Sequence, residues 1–165
     1  MTYLLTVCLL WSCIGEEPEP SWSVQPGERL PQFSVVDNNG IRWDNGSLAG
    51  KVSLLTLFNT SCQDCRHELP VIQRLYESYA GSGTVNFICI SREQSAASVQ
   101  EYWNEQGFTL PYSAQDDRTI YEMFTNEGIP FIVISDVGGT IRYTYNYHAM
   151  PGYEQLQADI EALLD

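Results

Sequence analysis

Leu54-Leu55-Thr56-Leu57-Phe58-Asn59-Thr60-Ser61-Cys62-Gln63-Asp64-Cys65-Arg66-His67-Glu68-Leu69-Pro70 is the stretch that decides the fold. An apolar run ends in two cysteines spaced C-x-x-C, and helical spacing begins at the second. A strand that hands two cysteines to the start of a helix has a specific chemical use. The first cysteine stands where backbone N–H groups are unpaired and the helix dipole favours an anion, which suits a thiolate nucleophile. Cys65 follows one turn later on the same face, where it can attack a mixed disulfide formed at Cys62. Other uses of paired cysteines are a zinc half-site and an inert structural pair. Zinc needs four ligands. Only Cys89, His67 and His148 remain as further donors, with no second C-x-x-C and no H-x₃-H.

Downstream of the cysteines, Leu69, Ile72, Leu75, Tyr76 and Tyr79 recur at helical spacing over 65–79, and Gly81-Ser82-Gly83 ends the pattern. Val85-Asn86-Phe87-Ile88-Cys89-Ile90 reads as a second buried strand, with Cys89 as core. A helix is predicted over 95–106, with Val99, Tyr102 and Trp103 on one face. Residues 108–112 lead to Asp116-Asp117, a predicted helix start ahead of Ile120, Tyr121 and Phe124. Ile129-Pro130 opens the strand Phe131-Ile132-Val133-Ile134-Ser135. Asp136-Val137-Gly138-Gly139 is a hairpin turn, and 141–145 returns antiparallel. Tyr143, Tyr145 and Tyr147 alternate, so they are expected to share one face and pack under a helix, with a surface for a partner as the alternative. An amphipathic helix over 152–164 closes the chain, and His67 and His148 are expected at the surface.

Upstream, Val52 to Phe58 is continuous apolar sequence bounded by turn residues, as in a central buried strand. Gln32-Phe33-Ser34-Val35-Val36 and Ile41-Arg42-Trp43 flank the turn Asp37-Asn38-Asn39-Gly40. The order is β-β-β-α-β-α-(β)-α-β-β-α. Mixed strands with covering helices imply an α/β domain of three layers, α/β/α, with a central mixed sheet and an N-terminal β-hairpin extension.

Residues 1–12 read as a signal peptide. Their apolar run, 3–11, is shorter than the roughly 20 residues that span a bilayer. Leu10-Trp11-Ser12-Cys13 resembles the lipobox of bacterial lipoproteins, which makes Cys13 the expected lipid attachment site. Residues 13–27 are rich in Glu, Pro and Ser and read as an acidic tether to a membrane, with 28–165 as the domain. The domain is large enough to fold without structural disulfides. The net charge of −13 repels phosphate backbones, which excludes nucleic acid as an expected partner.

Residues 26–165 resemble the thioredoxin superfamily, and most of all its bacterial extracytoplasmic thiol–disulfide oxidoreductases of the TlpA/ResA type. The resemblance rests on three ordered motifs: residues 57–70, Gly128-Ile129-Pro130 with the hairpin behind it, and Pro31-Gln32-Phe33 through Gly50-Lys51. It implies that Cys62 attacks and Cys65 resolves. It implies that Pro130 is cis and faces the sulfurs, with Ile129 offering its backbone to an extended substrate. Glu68 matches the active-site glutamate of this branch, a proton relay for Cys65. The implied partners are protein thiols and disulfides together with an electron donor that the sequence does not identify. The implied location is the bacterial periplasm or cell envelope, as a lipid-anchored monomer. No cofactor is expected beyond a redox-active Cys62–Cys65 disulfide, and no metal.

Two positions depart from the family. Ser61 stands where Trp usually precedes the first cysteine, and Thr56 where thioredoxins proper carry a buried Asp. Asp64 puts a negative charge between the cysteines, which disfavours an anionic sulfur and points to a reducing couple. Two rival functions on this fold are a copper carrier and a peroxiredoxin-like peroxidase. Copper carriers typically use C-x-x-x-C, one residue longer than the spacing here. A peroxidase needs P-x-x-x-T-x-x-C, which Leu57 and the position of Thr60 break.

Overall fold

The computed structural model describes residues 21–164. The expected leader and Cys13 lie outside them. The elements run β1 (Ser34–Val36), β2 (Arg42–Asp44), α1 (Asn45–Leu48), β3 (Val52–Phe58), α2 (Gln63–Tyr79), β4 (Val85–Ser91), α3 (Ala96–Gln106), β5 (Tyr112–Ser113), β6 (Phe131–Ser135), β7 (Ile141–Asn146) and α4 (Tyr153–Leu164). Five strands form one mixed sheet in the order β5-β4-β3-β6-β7. β3 is central, parallel to β4 and antiparallel to β6. All seven of its residues are buried, as a strand covered on both faces requires.

Chain direction explains the layering. The connections β3–α2–β4 and β4–α3–β5 both join parallel neighbours and both step toward the same edge. Right-handed crossovers that step the same way put their helices on the same face. Ring contacts agree. On the face that carries Thr56, Phe58 and Phe87, Tyr76 of α2 packs on Phe87 at 5.7 Å, and Trp103 of α3 packs on Phe58 at 5.1 Å. α4 joins them, where Tyr145 donates to Asp159 at 2.5 Å. The opposite face meets α1, where Asn86 donates to the Leu48 carbonyl at 3.4 Å. The three long helices thus form one layer, the sheet a second, and shorter N-terminal elements a third.

The hairpin β1–β2 closes an edge. Asn38 and Tyr112 exchange hydrogen bonds at 2.8 and 3.0 Å, and Ser113 donates to the Val36 carbonyl at 2.6 Å, so β5 is not left as a bare edge. Asp37 builds the turn by accepting from the N–H groups of Asn39 and Ile41 and from the indole of Trp43.

Three expectations need correction. The predicted tether does not extend to residue 27. Ser23 bridges Thr125, and the Val24 N–H reaches the Phe124 carbonyl at 2.8 Å with its side chain buried. Unpaired carbonyls of the 121–126 connection and of β7 offer this segment partners that its composition does not advertise. The helix predicted after Asp117 shrinks to a 3₁₀ turn, Tyr121–Met123. Asp117 turns the chain by accepting from Thr119 N–H at 2.8 Å, and two buried aromatics, Tyr121 and Phe124, then fix it. Tyr147 does not join Tyr143 and Tyr145, because β7 ends at Asn146 and the alternation ends with it.

Helix α2 is anchored at its middle by a buried amide. Gln73 accepts from the N–H groups of Thr109 and Leu110 at 3.0 and 2.9 Å and donates to the hydroxyl of Thr109 at 2.9 Å. Replacing Gln73 by Leu strands two backbone donors, each worth about 1–3 kcal/mol when buried without a partner. Urea unfolding of Gln73→Leu is expected to show a loss of about 2–4 kcal/mol. A change within roughly half a kcal/mol, the range of an ordinary surface substitution, contradicts this anchoring.

Candidate active site

β3 ends at Phe58, and the four residues after it are fixed before the helix begins. The Asn59 side chain donates to the Arg92 carbonyl at 2.9 Å and accepts from the N–H and hydroxyl of Ser61 at 2.9 and 2.6 Å. Thr60 N–H donates to Gln94 Oε1 at 3.0 Å, and the Gln94 amide returns a bond to the Thr60 hydroxyl. Two side chains therefore clamp residues 59–61 to the loop that follows β4. Glu93 in that loop takes φ +50°, a left-handed conformation uncommon outside glycine.

Cys62 is the N-cap of α2. Its sulfur accepts from the Cys65 N–H at 3.5 Å and lies 3.5 Å from the Ile129 carbonyl. An anion there faces the open end of the helix. Cys62 is half-buried and Cys65 fully buried, so only the first offers its sulfur to a large partner. Burial pushes the Cys65 thiol well above the usual range for cysteine. The Asn59 N–H and the Arg92 charge oppose that shift without reversing it. Ile129–Pro130 is the cis bond that the resemblance implied.

Glu68 is 2 % exposed, and its Oε1 has no hydrogen-bond partner. Burial pushes its carboxyl up to about 7. Cys89 is buried core, and desolvation raises its thiol strongly as well. His67 and His148 are exposed. Among the described residues, no three His, Cys, Asp or Glu are placed to hold a metal ion.

A groove of about 460 Å³ opens beside Cys62, with Arg92, Glu93, Glu127, Ile129 and Tyr147 among its walls. Sequence reading missed Asn59, Arg92 and Gln94, and it expected Tyr147 to pack with Tyr143 and Tyr145 where the structure sets it in the wall of this groove. Only Asn59 carried a legible signal, since Asn-x-Ser after a strand suits an Asx turn. Arg92 and Gln94 lie in a loop whose nearness to the cysteines follows from the parallel pairing of β3 and β4.

Residues 26–148 match the model of the AhpC/TSA family. The chain belongs to the AhpC/TSA family. Among curated relatives, it is 24% identical over 119 residues to thiol-disulfide oxidoreductase ResA of Bacillus subtilis, covering 72% of this chain and 66% of that protein. Among solved structures, the thioredoxin-family thiol:disulfide interchange protein of Chlorobium tepidum superposes with a TM-score of 0.72 at 21% identity, covering 87% of this chain and 100% of that one. A secreted disulfide oxidoreductase of Mycobacterium tuberculosis superposes with a TM-score of 0.68 at 22% identity, covering 80% and 96%. The fold is that of the thioredoxin-like proteins. Within the family, the dithiol at the head of α2 is a site of the thiol–disulfide oxidoreductase type.

The raised Glu68 acid has a consequence for stability. An exposed glutamate titrates near 4.5, so between about pH 4.5 and 7 the folded chain holds a proton that the unfolded chain has lost. Stability from this group therefore falls as pH rises through that window, by about 3 kcal/mol in all. Glu68→Gln removes the loss. Urea unfolding at pH 4 and pH 8 is expected to show the variant gaining on the wild type by that order. An unchanged difference between the two proteins contradicts a buried, ionisable Glu68.

Proposed function

We propose that the protein reduces disulfides in other proteins outside the cytoplasm, with Cys62 attacking and Cys65 resolving. The observation that carries this reading is the unequal access of the two sulfurs, one at the mouth of a groove and one sealed beneath it. The Cys62 thiolate attacks one sulfur of a substrate disulfide. That S–S bond breaks, and the other substrate sulfur leaves as a thiolate and takes up a proton. Cys65 gives up its proton and attacks the Cys62 sulfur. The mixed disulfide breaks, the second substrate sulfur leaves as a thiol, and a Cys62–Cys65 disulfide remains. Two electrons have passed to the substrate, and a dithiol donor must return them.

The chemistry of Cys65 fits its part. A thiol raised by burial keeps its proton while Cys62 attacks. Glu68 then serves as the relay that takes this proton, since it lies one helical turn on and its acid near 7 exchanges protons readily at neutral pH. Pro130 and the Ile129 backbone line the face against which an extended substrate segment lies. The leader over 1–12 and a lipid on Cys13 would hold this domain, as a monomer, at the bacterial envelope. The lipobox-like sequence supports that location, as does the secreted relative.

Two observations count against the rival functions. The Thr60 hydroxyl, which a peroxidase would turn toward its cysteine, is bound by Gln94. The two histidines available to copper are exposed and bring no third donor to the cysteines.

A Cys65→Ser variant tests the exchange reading directly. It should hold protein partners as mixed disulfides on Cys62, visible as gel-shifted adducts that dithiothreitol releases. Cys62→Ser should hold none. Equal trapping by both variants, or none by either, overturns the assignment of attacking and resolving cysteines.

A further inference from the structure

The groove beside Cys62 is unbalanced in charge. Arg92, its cation, is only 20% exposed. It stacks over the Tyr121 ring at 4.4 Å, with Nε 3.9 Å from Glu93. Glu93 also takes Arg118 at 3.2 Å, and Arg118 pairs with Glu122 at 2.8 Å. Two cations and two anions cancel there. Glu127 also lines the groove and is exposed, and none of the ion pairs among the described residues includes it. Its carboxylate accepts only a long bond, 3.4 Å, from the Asn146 amide. It lies two residues from Ile129, whose carbonyl faces the Cys62 sulfur. Asp64, two residues beyond Cys62, is also exposed and unpaired, and adds the same sign.

The wall beside Glu127 is aromatic. Tyr147 is 37% exposed and sets the Cδ1–Cε1 edge of its ring against Gly128. A Cβ at position 128 would lie 2.7 Å from the ring's Cδ1, so glycine there lets the ring close onto the backbone. An exposed ring beside an uncompensated carboxylate matches the apolar stem and charged head of Lys or Arg.

We propose that Glu127 and Tyr147 select substrates carrying a cationic side chain within two residues of the reactive cysteine. This rests on the exchange reading above. Cys62 and Glu127 line the same groove, and each residue of an extended segment advances about 3.3 Å, so in this account a side chain within two residues of the cysteine lies along that groove. The net charge of −13 works in the same direction by steering basic partners inward and repelling acidic ones. Glu127 and Tyr147 are specificity-determining residues in this account, and the exchange steps remain those of Cys62 and Cys65.

The test uses three peptides, each with one cysteine disulfide-bonded to mercaptoethanol. They are identical except that the residues two positions either side of the cysteine are Lys, Glu or Ser. The reduced protein supplies both electrons in single turnovers, and the bimolecular rate constant is read at low and at high salt. The Lys peptide should react about tenfold faster than the Glu peptide at low salt, and less so at high salt. Glu127→Gln should cut that ratio at least about threefold, Glu127→Lys should bring it to one or below, and Tyr147→Ala should reduce it. A wild-type ratio near one overturns the proposal. So does a ratio that survives in both Glu127 variants, because it assigns the preference to overall charge alone. Failure of the wild type to reduce even the Ser peptide overturns the exchange reading, and the proposal with it.

Discussion

Everything at the active end of this molecule depends on where one sulfur is held. Cys62 caps α2, and its position is set by the loop before it more than by the helix after it. Asn59 and Gln94 take up the polar groups of residues 59–61 and tie them to the loop after β4. That loop is nearby because β3 and β4 are parallel neighbours, which present their C-terminal ends on the same side of the sheet. Ligands of open α/β sheets collect outside the carboxyl ends of strands, and the cysteines lie there. The cis Ile129–Pro130 segment closes the other side, so the sulfur lies between a helix end and a backbone carbonyl.

The same packing divides labour between two chemically identical side chains. One turn of helix separates a sulfur open to a groove from a sulfur fully buried. Desolvation then acts on Cys65 and on Glu68 in the same sense, favouring the neutral form of each. A buried thiol and a buried carboxyl, both reluctant to ionise, therefore lie one turn apart on α2. The exposed half holds the nucleophile and the groove. Thr56 is also fully buried, so the position where thioredoxins proper carry an acid is polar but uncharged here.

Strong periodic signals made most of the fold legible. β3 and β6 match the mainly apolar runs in their bounds, as strands buried on both faces are expected to do. The hairpin before β3, the C-x-x-C at a helix start and the proline before β6 are local patterns with local causes. What the sequence concealed depends on tertiary partners. Residues 22–27 look like part of a tether until the carbonyls of residues 124 and 141 are in place to receive the N–H groups of Val24 and Gly27. The helix expected after Asp117 gives way to burial of Tyr121 and Phe124. Arg92 and Gln94 carry no motif at all, and the alternation that includes Tyr147 misplaces it; the crossover of β4 and the end of β7 bring these three to the groove and loop beside the cysteines. Ser61 is the instructive case. Its small side chain turns back onto Asn59, and the rim before Cys62 is left polar where the wider family has an indole.

The central claim is a reversible two-electron couple between Cys62 and Cys65, poised to reduce. Equilibrating the domain over 22–165 against dithiothreitol mixtures of known poise, with free thiols counted by alkylation and mass spectrometry, measures it directly. The account predicts one transition that removes two thiols together, leaves Cys89 unmodified, and centres nearer to thioredoxin, roughly −270 mV, than to DsbA, roughly −120 mV. A transition near the DsbA value would contradict a reducing role. No joint loss of the two thiols at any poise would contradict the couple itself.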